Sequence, residues 1–238
     1  MSAGLSSLLK SEPVDMLVTA LTDYATLPRV GPHAVTLETP HVDFLDPVAL
    51  KAALVVAMIP FLWNVIARSE HRTRWMTRLC GGHARLGCYL LALAIFTASS
   101  YRTTFIQEAI SAGARWAVLD TPLVRMVAAV MFVFANVLVL ATYARLGITG
   151  TYLGDYFGIL MSHRVEGFPF TITDNPMYWG SVLNYLSLAL WNASPVGILL
   201  SVVVYVVYYV AIQFENPFTA MIYNEAAAKK AAAAKKSQ

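Results

Sequence analysis

Titratable and aromatic side chains crowd into residues 147–180 of an otherwise apolar chain: Tyr152, Asp155 and Tyr156, then His163, Arg164 and Glu166, then Asp174, Asn175, Tyr178 and Trp179. Asp155 and His163 are the candidates for general acid–base work, since a carboxylate or an imidazole can take or return a proton near neutral pH. Ionisable groups beside a membrane wall are costly to place, which makes them functional candidates by default. Gly147, Gly150, Gly154 and Gly158 interleave with them and allow close backbone approach, either to a ligand or to a neighbouring helix. Tyr152, Tyr156, Tyr178 and Trp179 suit a cation through their ring faces, and they suit an interfacial aromatic belt equally well. A second polar spot, Glu215 with Asn216 ahead of Pro217, closes the last apolar segment. Its carboxylate can accept hydrogen bonds from ligand hydroxyl or amino groups. Soluble phosphate-cradling patterns do not occur: no Gly-x-Gly-x-x-Gly follows a strand, and there is no Walker lysine.

The elements that must position these residues belong to a membrane. Of the 238 residues 58% are hydrophobic and 13% charged, against about a quarter charged in soluble domains. Most of the chain is therefore expected in lipid, as an all-α polytopic helix bundle. A net charge of +3, split between an arginine cluster and a lysine tail, gives no nucleic-acid footprint. Cys80 and Cys88 have neither disulfide spacing nor a histidine pair beside them, so no metal is expected.

Residues 1–45, punctuated by Pro13, Pro28, Pro32 and Pro40, form a polar arm with neither a secretory signal nor a transit-peptide composition. Residues 46–67 span the bilayer or re-enter it, with Pro60 and Asn64 inside. Residues 86–105 and 126–144 are further spans, the latter carrying Asn136, a side chain expected to bond a neighbouring helix. Residues 176–214 hold no Asp, Glu, Lys or Arg and are nearly two spans long. The turn signal Asn192-Ala-Ser-Pro195 divides them into a helical hairpin, and that hairpin brings Tyr178 back beside Glu215. The arginines between Arg68 and Arg85 favour the cytosol, which puts residues 147–180 and the basic tail, 224–238, on the cytosolic side. Lys235 and Lys236 resemble a dilysine retrieval signal of the endoplasmic reticulum.

Leu153-Gly-Asp-Tyr-Phe-Gly158, Phe168-Pro-Phe170, Asp174-Asn-Pro-Met-Tyr-Trp-Gly-Ser181 and Pro217-Phe-Thr-Ala220 resemble the phospholipid methyltransferases of the endoplasmic reticulum, the phosphatidylethanolamine N-methyltransferase group. The run from Gly147 through Met161, together with Cys80-Gly-Gly, looks most like the fungal branch that performs the later methylations to phosphatidylcholine. The resemblance covers residues 46–223, the expected catalytic domain. It implies S-adenosylmethionine as methyl donor, and the mono- and dimethyl derivatives of phosphatidylethanolamine as substrates. It assigns Glu215 to the donor, with Asn216 standing where a second glutamate is usual. Asn175, Tyr178 and Gly180 join them, in a helix start also similar to that of isoprenylcysteine carboxyl methyltransferases. Val133, Phe134 and Ala135 stand where the family carries Gly-x-Gly, so only Ala135 keeps a small side chain there. Asp155 and His163 become the proton-handling pair, and Tyr152, Tyr156 and Trp179 the headgroup aromatics. The implied partners are the phospholipid and the bilayer, in the endoplasmic reticulum and also a mitochondrial membrane, with the oligomeric state open. A carboxyl methyltransferase, a sterol or acyl reductase, and a non-catalytic lipid-binding protein stay as alternatives.

Overall fold

A computed structural model describes residues 35–162 and 165–236. Along the chain lie a two-residue strand β1 (Thr36–Leu37), helices α1 (Pro47–Thr73), α2 (Trp75–Leu79) and α3 (Ala84–Ala112), a strand β2 (Arg115–Trp116), and helices α4 (Pro122–Thr151), α5 (Pro176–Trp191) and α6 (Pro195–Lys236).

Four of these helices begin at a polar residue followed by proline: Asp46-Pro47, Thr121-Pro122, Asn175-Pro176 and Ser194-Pro195. Proline is preorganised for the first helical position, where its missing N–H costs nothing. In three of the four the residue before it caps, Asn175 being the exception. Asp46 accepts from the Val48 and Ala49 amides at 3.2 and 3.3 Å, Thr121 from the Val124 amide at 3.3 Å, and Ser194 from the Gly197 amide at 3.0 Å.

Among the described residues, four helices are long and apolar enough to cross a membrane: α1, α3, α4 with its continuation to Phe157, and α6 as far as Ala232. The first of them decides between the two courses open to residues 46–67. A helix of 27 residues carried through Pro60 measures about 40 Å, more than the hydrocarbon core. In the hairpin, α5 with its 16 residues is the short arm, about 24 Å. Large apolar side chains such as Leu54, Phe61, Leu93, Leu140 and Val206 face outward, as expected where the solvent is lipid and helix packing rests on small residues and polar contacts.

The hairpin turn is held from outside. Asn192 Nδ2 donates to the Leu188 carbonyl at 2.8 Å, and Ala193 has φ +52°. The Trp116 amide of β2 donates to the Ala193 carbonyl at 2.8 Å. Because β1 pairs in parallel with β2, residues 36–37 of the polar arm are tied to the same turn. Asn136 bonds Asn184 at 2.9 Å, the helix-to-helix link expected of it. Helices α4 and α5 approach closest at Gly180, where an added Cβ would stand 2.9 Å from both the Ala135 carbonyl and Val139 Cγ2. At Gly147, with φ +61° and ψ −173°, α4 breaks, a conformation that glycine adopts without the Cβ clash.

Candidate active site

Glu215 is the anchor. It lies on α6 two residues before Pro217, and its carboxylate accepts Trp63 Nε1–H at 3.2 Å and Asn64 Nδ2–H at 2.6 Å on one oxygen, and Tyr178 Oη–H at 2.5 Å on the other. The two stretches separated by the hairpin, the start of α5 and the acidic end of the apolar run, therefore touch. α1 joins them through Trp63 and Asn64. Nearby, Arg68 Nη2 donates to the Phe214 carbonyl at 2.7 Å, one turn before Phe218 and close to Pro217, which supplies no helical N–H. The Arg68 guanidinium also lies 4.6 Å from the Phe218 ring centroid. Glu215 is only 8% exposed, yet an ionised carboxylate has about four acceptor sites and the protein fills three.

Asp155 arrives from the other side, on the short turn of helix at Gly154–Phe157 that follows the break in α4. Its Oδ2 accepts Thr219 Oγ1–H at 2.8 Å. Thr219 and Glu215 are about one turn apart on α6, so both carboxylates are held by neighbouring turns of that helix. Tyr223, one turn further, accepts a bond from the Met161 amide at 3.2 Å. The glycine-rich stretch is thus laid along one face of α6.

Both carboxylates line a single cavity of about 1560 Å³, together with Trp63, Tyr152, Asn175, Tyr178 and Asn216. Tyr152 shares a hydrogen bond with Tyr143, also in the lining. Six expected site residues fall elsewhere, Gly180 among them. Val133 and Phe134 are 62% and 44% exposed on the outer face of α4, because at 100° per residue only Ala135 of that triplet turns inward. Ala135 itself is buried against Gly180, so that pair lets two helices approach and does not line the cavity. Tyr156 is fully buried, its ring stacked on Phe218 at 5.0 Å and edge-on to His71. Trp179 turns away to pack on Tyr205 at 5.4 Å, since its neighbour Tyr178 takes the inward face. His163 lies outside the described residues.

Sequence reasoning passed over Trp63, Asn64, Thr219 and Tyr143 as site residues. An asparagine inside an apolar span was the available signal, and Asn64 carries a second one in the structure: its Oδ1 is buried without a partner beside Glu215. Glu70, equally buried, does different work. It accepts from the Met76 amide at 2.7 Å and Thr77 Oγ1 at 2.5 Å, fastening α2 to the end of α1.

A model of the phospholipid methyltransferase family matches residues 123–226, which hold Asp155, Tyr178 and Glu215. The chain is 45% identical over 183 residues to the phosphatidyl-N-methylethanolamine N-methyltransferase of Emericella nidulans, covering 77% of this chain and 89% of that one. It is 45% identical to the enzyme of the same name from Schizosaccharomyces pombe, over 79% and 95% of the two chains. Identity to the phosphatidylethanolamine N-methyltransferase of Homo sapiens is 44%, over 79% and 94%. No solved structure matches. With relatives of this likeness aligned over nearly their whole length, and with the shared region carrying the junction of Tyr178 and Glu215, the chain belongs to the phospholipid methyltransferase family.

Proposed function

We propose that this protein transfers methyl groups from S-adenosylmethionine to the amine of mono- and dimethylated phosphatidylethanolamine, giving phosphatidylcholine. The observation that carries it is the junction at Glu215, where α1, α5 and α6 meet at the wall of one cavity. The residues present fit the donor. Glu215 has one acceptor site to spare and Asn64 Oδ1 has no partner, which together suit the hydroxyl and amino groups of an adenosyl moiety. Asn175, Tyr178 and Asn216 border the same space, while Gly180 and Ala135 set the helix spacing behind them.

Bound there, S-adenosylmethionine supplies an electrophilic methyl group. The chain orients the acceptor amine, takes its proton and excludes water. Asp155 Oδ1 is the proton acceptor, with Oδ2 fixed by Thr219. With the amine made neutral by Asp155, its lone pair would be free to take the methyl group that a bound S-adenosylmethionine would supply, the thioether being the leaving group. Positioning supplies much of the rate. Two carboxylates, Asp155 and Glu215, counter the positive charges of donor and amine in a low-dielectric site. Of the aromatics assigned to the headgroup, Tyr152 borders the cavity, with Tyr143 beside it, and can hold the methylated ammonium by cation–π attraction of about 0.5–2 kcal/mol.

The site sits at the basic end of the bundle. Arg68 bonds Phe214, Arg74 reaches the Tyr156 carbonyl, and Arg145 donates to the Phe168 carbonyl. This supports a cytosolic mouth and tail in an endoplasmic reticulum membrane, with residues 46–223 as the catalytic unit. Membranes containing the protein, given labelled S-adenosylmethionine and each headgroup in turn, should label the mono- and dimethyl lipids. Label on protein carboxyl groups and never on lipid would overturn the assignment in favour of carboxyl methylation.

A further inference from the structure

We infer that Arg102 is the anion-binding residue of this cavity and takes the phosphodiester of the lipid substrate. The inference rests on the lipid methyltransferase reading above. Arg102 lies on α3, within a membrane-crossing helix, and is 2% exposed. Its Nε donates to Tyr185 Oη at 3.2 Å and its Nη2 to Tyr208 Oη at 2.7 Å. Its guanidinium carbon stands 5.3 and 5.4 Å from the two ring centroids. Nη1 is buried with no partner at all, and the residue lines the cavity.

A guanidinium is always charged, and a charge inside the bilayer is expensive enough that it marks a ligand path or a counter-charge. The partners of Arg102 are phenol hydroxyls, which orient the guanidinium without neutralising it. Two phenols clamp the plane of the group and leave one N–H edge for a visiting anion, and phosphate is the anion whose oxygens match that edge. The charge balance of the cavity agrees. Among the described residues Arg102 is the one arginine or lysine in its lining, against the carboxylates of Asp155, Glu166, Asp174 and Glu215. Those carboxylates suit a cationic amine and a sulfonium. Among the described residues, the phosphate has this one cationic partner in the lining.

Position separates the lipid phosphate from the donor's own carboxylate. Tyr208 precedes Glu215 by seven residues on α6, so Arg102 lies about 10 Å further from the basic end. The two levels share a wall: the Tyr178 ring packs on Tyr208 at 4.8 Å while its hydroxyl reaches Glu215. At the level of Arg102 the bundle is loose on one side. Helices α3 and α4 pack far less against each other than α4 and α5 do. Across that gap Phe96, Ser99 and Thr103 of α3 face Ala129 and Phe132 of α4 around the cavity, and both phenylalanines are also exposed on the outer surface. A headgroup entering from the bilayer between α3 and α4 meets Arg102 first, with its amine, two carbons further on, directed toward Asp155 and Glu215.

The test uses the full-length enzyme in mixed micelles with phosphatidyl-N-monomethylethanolamine. For Arg102→Gln we expect the lipid KM to rise at least tenfold while the dissociation constant for S-adenosylhomocysteine stays within twofold, with Arg102→Lys between the two. The proposal is overturned if product affinity falls and lipid KM does not, which would make the donor's carboxylate the anion, or if neither constant moves, which would leave Arg102 a structural cation only. Should the variants not accumulate, the wild-type enzyme answers alone: the same lipid with its phosphate methylated to a neutral triester should show a KM at least tenfold higher, and an equal KM overturns the proposal. A wild-type enzyme that methylates no lipid would refute the functional reading itself, a separate outcome.

Discussion

Glu215 and Arg102 are opposite charges buried at two levels of one cavity, and the protein treats them differently. Glu215 is gripped by three donors from two other helices, α1 and α5. Arg102 is held by two hydroxyls with one nitrogen left over. The carboxylate is a finished part of the scaffold that retains a single acceptor site, so its ligand completes a shell that is nearly full. The guanidinium is oriented and left incomplete, so its ligand supplies what the protein withholds. One end is built to be rigid before anything binds, and the other gains its balance from the lipid.

That contrast can be broken by asking which substrate each end governs. Between the two levels and the basic mouth, Asp155→Asn removes the proposed proton acceptor and should lower kcat by about 10²–10⁴-fold, with S-adenosylhomocysteine binding by calorimetry unchanged; a loss of binding instead would make Asp155 a donor ligand. Glu215→Gln should weaken product binding by about 2 kcal/mol, near thirtyfold, and leave lipid KM within a factor of two or three. If the lipid constant moved and the nucleoside constant did not, the two ends would have to be exchanged. Tyr178→Phe withdraws one of the three donors and should cost about 1.4 kcal/mol, close to tenfold, in the same binding measurement. Val133→Ala, on the outer face of α4, should change activity by less than about twofold; a larger loss would return that triplet to the site.

Much of this was legible because membranes impose strong rules. Uncharged runs gave the spans, the Asn192-to-Pro195 signal gave the hairpin, and from the hairpin alone Tyr178 had to return beside Glu215. The chemistry-bearing types were legible too, since Asp155 and Glu215 have no other reason to stand next to apolar segments. What failed did so on helix faces. Tyr178 and Trp179 are adjacent and equally aromatic, yet 100° of rotation sends one to Glu215 and the other to Tyr205. The same rotation separates Ala135 from Val133 and Phe134. From sequence a lone arginine near the end of an apolar run has the cheaper course of reaching for the interface, and no local signal tells that Arg102 is instead buried.

By itself, the order of residues determined that this chain is a bundle of membrane helices, roughly where its apolar runs lie, and which polar groups are costly to bury, because desolvation penalties act on every residue whatever its neighbours. Only the tertiary structure decided which of those groups share a cavity: that α1 supplies Trp63 and Asn64 to a carboxylate about 150 residues away, and that Arg102 turns inward between two tyrosines. Contacts between distant segments depend on the rotation and crossing of whole helices, and no local pattern records those.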